Sequence, residues 1–410
     1  MNNINAADTT FMIFSTALVM LMTPGLALFY GGMVRRKNVL STTMHSYAAM
    51  AIVSIQWILI GYTLSFGTDI GGFIGNLQWV GLNGVGYAPN ADYAATIPHQ
   101  VFMLFQLMFA LITPALISGA IAERMKFGAF AIFVLLWAIF VYDPVAHWVW
   151  GVGGWIRNLG ALDFAGGNVV HISSGVSGLV AAIVLGKRKR LETITPHHIP
   201  MTFLGAGILW FGWFGFNAGS ALGVSDIALN AFITTNTSAA AAAIGWSACE
   251  LLHRKKVTSL GVASGLVAGL VAITPGAGFV SPLAAIFIGL VGGAICFFGV
   301  TIIKKKFGYD DALDAFGCHG IGGIWGGIAT GIFASTTINP AGADGLFYGS
   351  AKLLGAQLVA IGATVVYAAL VTFIILKVIG LFTSLRVKEE EEETGLDVSL
   401  HGEDAYGGIS

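Results

Sequence analysis

Two histidines stand in apolar, glycine-rich runs that hold little else able to carry a charge. His171 lies in Asp163-Phe164-Ala165-Gly166-Gly167-Asn168-Val169-Val170-His171-Ile172-Ser173-Ser174-Gly175, a run that ends at Lys187-Arg188-Lys189-Arg190. His319 lies in Phe316-Gly317-Cys318-His319-Gly320-Ile321-Gly322-Gly323. An ionisable residue at membrane depth is costly and marks a functional site by default. The competing structural role is a lone buried imidazole bonded to a backbone carbonyl. A neutral imidazole has one donor and one acceptor nitrogen. Two neutral rings can share one proton and leave a nitrogen free to face a small polar solute. A metal site is the rival, but it wants three or four ligands. No carboxylate or spaced cysteine accompanies the pair, and Cys318 points in another direction on a helix. No metal, cofactor or enzymatic residue is expected.

Asp163, about two helical turns before His171, suits an anion at a cation entrance. It equally suits an N-cap, where Asp is favoured, and both roles can coexist. Phe105, Phe109, Trp150, Trp213 and Phe216 fall toward the outer halves of their runs or close to them. Aromatic faces attract cations, by about 2 kcal/mol when desolvated, and Ser220 can add an oxygen acceptor. Taken singly, each aromatic reads as core or interfacial belt.

The elements that position these residues are membrane helices. The chain of 410 residues is 56% hydrophobic and 10% charged, with a mean hydropathy of +0.80, whereas soluble domains average about 25% charged residues. The 56 glycines suit helices packed closely in lipid, where no hydrophobic force acts between them. A net charge of -1 gives no basis for nucleic-acid binding. Cys249, Cys296 and Cys318 are too few for a disulfide framework. Met1 to Thr10 has no basic n-region and includes Asp8, so no cleavable signal is expected.

Apolar runs of spanning length, about 20 residues, fall at 11–34, 43–66, 99–121, 127–150, 168–186, 199–219, 227–252, 257–275, 281–303, 318–336 and 353–383. Of the 20 Lys and Arg, 17 cluster in alternate connections: Arg35 to Lys37, Arg124 with Lys126, Lys187 to Arg190, Arg254 to Lys256, Lys304 to Lys306, and Arg386 with Lys388. The positive-inside rule makes these connections cytoplasmic. The N-terminus is then outside and the C-terminus inside, as an odd number of spans requires. Long outer loops rich in Gly and Asn are expected at 67–98 and 337–351. Trp148, Trp150 and Trp155 fit an outer aromatic interface.

The expected fold is an all-α integral membrane protein of eleven transmembrane helices. Residues 1–386 form the transmembrane domain and 387–410 a cytosolic tail. That tail, with Glu389 to Glu393, reads as solvated and partly disordered. The first run closes on Thr23-Pro24-Gly25-Leu26-Ala27-Leu28-Phe29-Tyr30-Gly31-Gly32 and the sixth on Phe211-Gly212-Trp213-Phe214-Gly215-Phe216-Asn217-Ala218-Gly219-Ser220. The histidines fall in the fifth and tenth. This suggests a five-plus-five inverted repeat with an extra C-terminal helix.

Asp163 to Gly167 with His171 and the small-residue run to Arg188 resembles the signature of the ammonium transporter family (Amt, methylammonium permeases and Rh proteins). Phe29-Tyr30-Gly31-Gly32, Ala122-Glu123-Arg124, Phe214 to Ser220 and Phe316-Gly317-Cys318-His319-Gly320 are similar to further family motifs. The resemblance covers essentially the whole chain. It implies a homotrimer in the cytoplasmic (inner) membrane, multi-pass and lipid-embedded, with one narrow pore per subunit. It implies that Phe105, Phe109, Trp150 and Ser220 form an outer ammonium site, with Phe109 and Phe216 as a gate. His171 and His319 then line the pore with Trp213 on its wall, and Asp163 lies at the mouth. Ammonium would lose its proton near Asp163 and the gate and cross as ammonia, with net proton movement expected; a separate polar return path for the proton stays open. Gly395-Leu396-Asp397-Val398 and His401-Gly402-Glu403 resemble the tail of bacterial members, where a PII-family signalling protein docks.

Three alternatives compete. Trp150 and Ser220 argue against a Rh-like gas channel. Sensor members carry a fused signalling domain after the tail, so a sensor role here is expected to need a separate cytosolic partner. A metal enzyme or metal transporter lacks ligands.

Overall fold

The computed structural model describes residues 4–189 and 195–406; Arg190, placed above in a basic cluster, lies outside the described residues, as do 407–410 of the tail. Each apolar run is helical. The helices are α1 (Ala6–Met33), α2 (Val39–Gln56, Trp57–Gly61 and Tyr62–Phe66), α3 (His99–Ile121) and α4 (Phe127–Trp137, Ala138–Tyr142 and Asp143–Trp150). Next come α5 (Gly167–Ile172 and Ser173–Leu185), α6 (Ile199–Gly219), α7 (Asp226–Arg254) and α8 (Ser259–Ile273). The membrane part ends with α9 (Pro282–Phe298, Gly299–Ile303 and Lys304–Phe307), α10 (Phe316–Gly320 and Ile321–Phe333) and α11 (Ala351–Phe382). Among the described residues, nine helices are long and apolar enough to cross a membrane; α8 and α10 are shorter.

Packing follows the repeat suggested by sequence. The first spans of the two halves, α1 and α6, lie against each other, and so do the fifth spans, α5 and α10. Glycine makes both approaches possible. A Cβ on Gly205 would stand 2.3 Å from the Phe29 backbone nitrogen, and one on Gly175 would stand 2.2 Å from that of Gly320. Any side chain at Gly175 would push α5 and α10 apart, one turn beyond His171 and next to His319. Large apolar side chains such as Leu283, Leu381 and Phe382 are exposed at the periphery, where a bilayer would cover them.

The loop after α2 carries a short antiparallel pair, Asp69–Ile70 with Ile74–Gly75. His147 of α4 bonds Asp69 Oδ1 at 2.9 Å and the Ser65 carbonyl at 3.0 Å, tying that loop to the end of α4.

The tail differs from the solvated segment expected of an acidic run. It forms α12 (Glu389–Thr394) and α13 (Leu396–His401), and α13 packs against the start of α2. Asp397 accepts the Leu40 and Ser41 N–H groups at 3.0 and 2.8 Å, capping α2. Glu392 accepts from Lys189 N and from Arg386 Nη2. His197 bonds the Tyr406 hydroxyl at 2.7 Å. The run of five glutamates hides this, because only Glu392 among them is buried.

A buried ion network lies beneath the tail. Glu123 accepts from Arg35 N, Arg35 Nε, Asn38 Nδ2 and Arg188 Nη1 at 2.8–3.0 Å. Arg188 also holds Asp310 through Nε and Nη2 at 2.9 and 2.8 Å. Burial pushes the Glu123 carboxyl up, but Arg188 and Arg35 outweigh it and hold it below its ordinary value. Asp310 is likewise pushed up by burial and pulled down further by Arg188 and Arg124, to about 2.

Candidate functional site

The site begins with two helix starts built alike. Asp163 Oδ1 accepts the N–H groups of Gly166 and Gly167 at 2.8 and 2.6 Å, and Oδ2 that of Asn168 at 2.7 Å. Asp163 therefore caps α5, one of the two roles its position suggested. Asp311 does the same for α10, accepting from Ala315 N at 3.0 Å and Phe316 N at 2.7 Å. Both helices open in a π-helical turn, a distortion common at functional sites. His171 and His319 sit in those turns, 1% and 4% exposed.

The two imidazoles meet. Their Nδ1 atoms are 3.3 Å apart, with ring centroids at 5.3 Å and planes 25° apart. One Nδ1 must carry the shared proton and the other must be bare. Of two neutral rings, one then has a bare Nε2 and the other an Nε2–H. His171 Nε2 has no hydrogen-bond partner. Trp213 stacks on His171 at 5.4 Å, held by its Nε1–H, which donates to Thr274 Oγ1 at 2.9 Å.

The rings border a narrow enclosed passage of about 10 Å³, also lined by Trp213, Phe216, Leu26, Leu116, Leu209 and Val170. That is room for about one water molecule. Phe109 packs against Phe216 at a tilt, with centroids at 4.2 Å and planes 34° apart.

Phe109 lines a second, more open cavity of about 150 Å³ with Trp150, Ser220, Gln106, Phe164 and Arg157. The Phe109–Phe216 pair therefore separates the two spaces. Trp150 Nε1 donates to the Asp163 carbonyl at 2.9 Å, and Arg157 Nη1 to the Trp150 carbonyl at 2.7 Å. Ser220 Oγ donates to the Phe216 carbonyl at 2.8 Å.

Eight of the nine sequence-chosen residues thus meet in one column: Trp150, Ser220 and Phe109 at the open cavity, Asp163 bonded to Trp150 beside it, and Phe216, Trp213, His171 and His319 at the passage. Phe105 packs behind, fully buried against Phe109 at 5.0 Å, and does not line the open cavity. Sequence reasoning missed Gln106, Thr274 and Asp311. For Asp311 a signal existed: it precedes His319 by the same eight residues that separate Asp163 from His171.

A profile of the Ammonium Transporter Family matches residues 10–406.

The chain belongs to the ammonium transporter family.

It is 64% identical over 399 residues to an ammonium transporter of Bacillus subtilis, covering 97% of this chain and 98% of that protein. The structure resembles that of Mep2 from Saccharomyces cerevisiae with a TM-score of 0.88 at 37% identity, covering 94% of this chain and 91% of that one. It also resembles a structure titled Sensor Amt Protein with a TM-score of 0.87 at 29% identity, covering 96% and 97% of the two chains. The chain is thus a multi-pass helical membrane protein of a transporter family.

Proposed function

We propose that the chain takes ammonium at the open cavity and conducts it inward as ammonia through the passage beside the histidines. The observation that carries this reading is the enclosed, almost wholly apolar passage bordered by paired imidazoles behind two facing phenylalanines. A bare cation pays heavily to enter such a space, whereas a neutral molecule with hydrogen bonds pays little. Ammonium can shed a proton and enter as ammonia. Potassium, similar in size, cannot. Phe109 and Trp150 would hold the cation by its attraction to their faces, with Ser220 Oγ accepting an N–H. Phe109 and Phe216 would open as the gate. The unpartnered His171 Nε2 would meet ammonia beyond it.

In this reading the chain crosses the cytoplasmic membrane eleven times, with its N-terminus outside, and assembles as a homotrimer. The basic clusters in alternate connections support that orientation. The docked tail is the surface for a PII-family protein. The sensor reading keeps support from the resemblance to the sensor protein and from the tail's contacts with α2.

The test is a pulse of ammonium on proteoliposomes adsorbed to a solid-supported membrane, with internal pH followed in parallel. A response to ammonium, absent with potassium, is expected. Equal responses to both ions would overturn the proposal.

A further inference from the structure

A basic cavity of about 340 Å³ lies apart from the pathway, between the ends of α5 and α9 and the connection from α9 to α10. Lys187, Arg188, Lys304, Lys305, Tyr309 and Asp310 line it. Both helices are long and apolar enough to cross a membrane, and they stop at Leu185 and Phe307. The cavity therefore sits at headgroup depth, just past the apolar core of a bilayer.

Its charges do not cancel. Arg188 is matched by Asp310 and Glu123. Lys304 Nζ is matched by Asp314 Oδ1 at 2.7 Å and the Asp311 carbonyl at 2.6 Å. Among the described residues, the side chains of Lys187 and Lys305 have no hydrogen-bond or ion-pair partner. Lys187 Nζ reaches across to the α9–α10 connection, 3.6 Å from where a Cβ on Gly308 would stand. Two cations thus border one space with no unmatched carboxylate beside them. Their neighbours on α9 are apolar. Phe298, Ile302 and Phe307 interleave with the cavity residues Val300, Lys304 and Lys305 and are exposed, Phe307 at 73%.

We propose that this cavity binds the phosphate headgroup of an anionic phospholipid, with the acyl chains lying along Phe298 and Ile302. A phosphate from solution would gain charge pairing alone. A lipid adds burial of apolar surface along α9, and basic pockets between membrane helices suit such headgroups. The bound headgroup would tie α5 to the α9–α10 connection next to Asp311, which caps the turn that carries His319. The inference goes beyond the transport reading and does not depend on it, nor on which leaflet the cavity meets.

The test is protection from amide hydrogen exchange over residues 304–316 as phosphatidylglycerol is titrated into the full chain in neutral detergent. Phosphatidylcholine and inorganic phosphate are titrated in parallel, and thermal unfolding confirms the fold of each variant. Protection is expected with phosphatidylglycerol and not with the other two. Lys305→Gln should raise the half-maximal lipid concentration about fivefold, and Lys187→Gln with Lys305→Gln about thirtyfold, as the loss of one and two surface cations predicts. Lys352→Gln, at the far end of the bundle, should leave it unchanged. No protection by phosphatidylglycerol, equal protection by phosphatidylcholine, or an equal shift with Lys352→Gln would overturn the proposal. Equal protection by inorganic phosphate would overturn the lipid and leave a site for a soluble anion. If the double variant does not fold, Lys305→Gln decides alone, and an unchanged half-maximal concentration overturns the site.

Discussion

Asp163 and Asp311 each stand eight residues before a buried histidine, and each caps the π-helical turn that carries it. Each carboxylate takes the N–H groups that the first turn of a helix leaves without partners. The paired caps give the two helices matching starts, and the glycine contact between Gly175 and Gly320 brings the starts together. The Nδ1 atoms can then meet at 3.3 Å.

Asp163→Ala is expected to abolish ammonium-dependent current. It strips three N–H groups of their acceptor and releases the backbone whose carbonyl holds Trp150. The lost bonds to a charged acceptor should cost about 3 kcal/mol or more. Asp311→Ala should destabilise comparably and slow transport, yet leave the half-saturating concentration unchanged, because Asp311 does not line the open cavity. A raised half-saturation in the Asp311 variant would contradict this division.

The histidine pair should act as a selectivity device. His171→Asp or His319→Glu puts a potential charge into an apolar passage and should let potassium or intact ammonium through while conduction persists. Potassium currents alongside ammonium currents measure it. Wild-type rejection of potassium in both variants would leave the pair as a structural hydrogen bond between the two halves.

Trp150→Leu should weaken ammonium affinity by about 1–2 kcal/mol, the value of a partly desolvated cation–aromatic contact, without loss of assembly. Binding curves on folded protein test it. Unchanged affinity and unchanged discrimination against potassium would reduce Trp150 to an interfacial anchor.

Removal of the residues after Arg386 should abolish binding of a PII protein and leave α1 to α11 folded. It also removes the Asp397 cap from α2, at a cost of about 1 kcal/mol. Co-purification with a PII partner and thermal unfolding report the two effects separately. Undiminished co-purification would refute the docking role.

Acid should weaken the buried ion network at a definable point. Asp310 titrates at about 2 in the folded protein against an ordinary 3.8, and Glu123 is lowered too. A depressed carboxylate contributes its stability above the unfolded value and loses it as pH falls through the folded value. Thermal stability should therefore decline as pH drops below about 4 and level off near 2. Asp310→Asn should flatten that decline and destabilise the protein at neutral pH by about 3 kcal/mol, because it leaves Arg188 partly unpaired. An unchanged acid profile in the variant would assign the decline to other groups.

Much of this architecture was legible in the chain because a bilayer imposes local rules. A helix must be apolar over its whole crossing, so each of the eleven runs marks a helix in place. Basic clusters sit in the connections for a similarly local reason. Asp163, His171 and His319 stood out because polar residues are rare in such runs. The tertiary structure decided which residues touch. Residues 171 and 319 meet across 148 positions of sequence, and Glu123 and Arg188 across 65. Hydropathy reports only the average surroundings of a segment, so such pairings leave no local trace. Asp397 shows the same limit: in sequence it belongs to an acidic tail, and in space it caps α2, 356 residues earlier. Gln106 read as one polar residue on an apolar helix, and only the fold set it beside Phe109 and Trp150. Helices follow from the solvent each segment must satisfy, whereas the site follows from how closely their glycine faces let them approach.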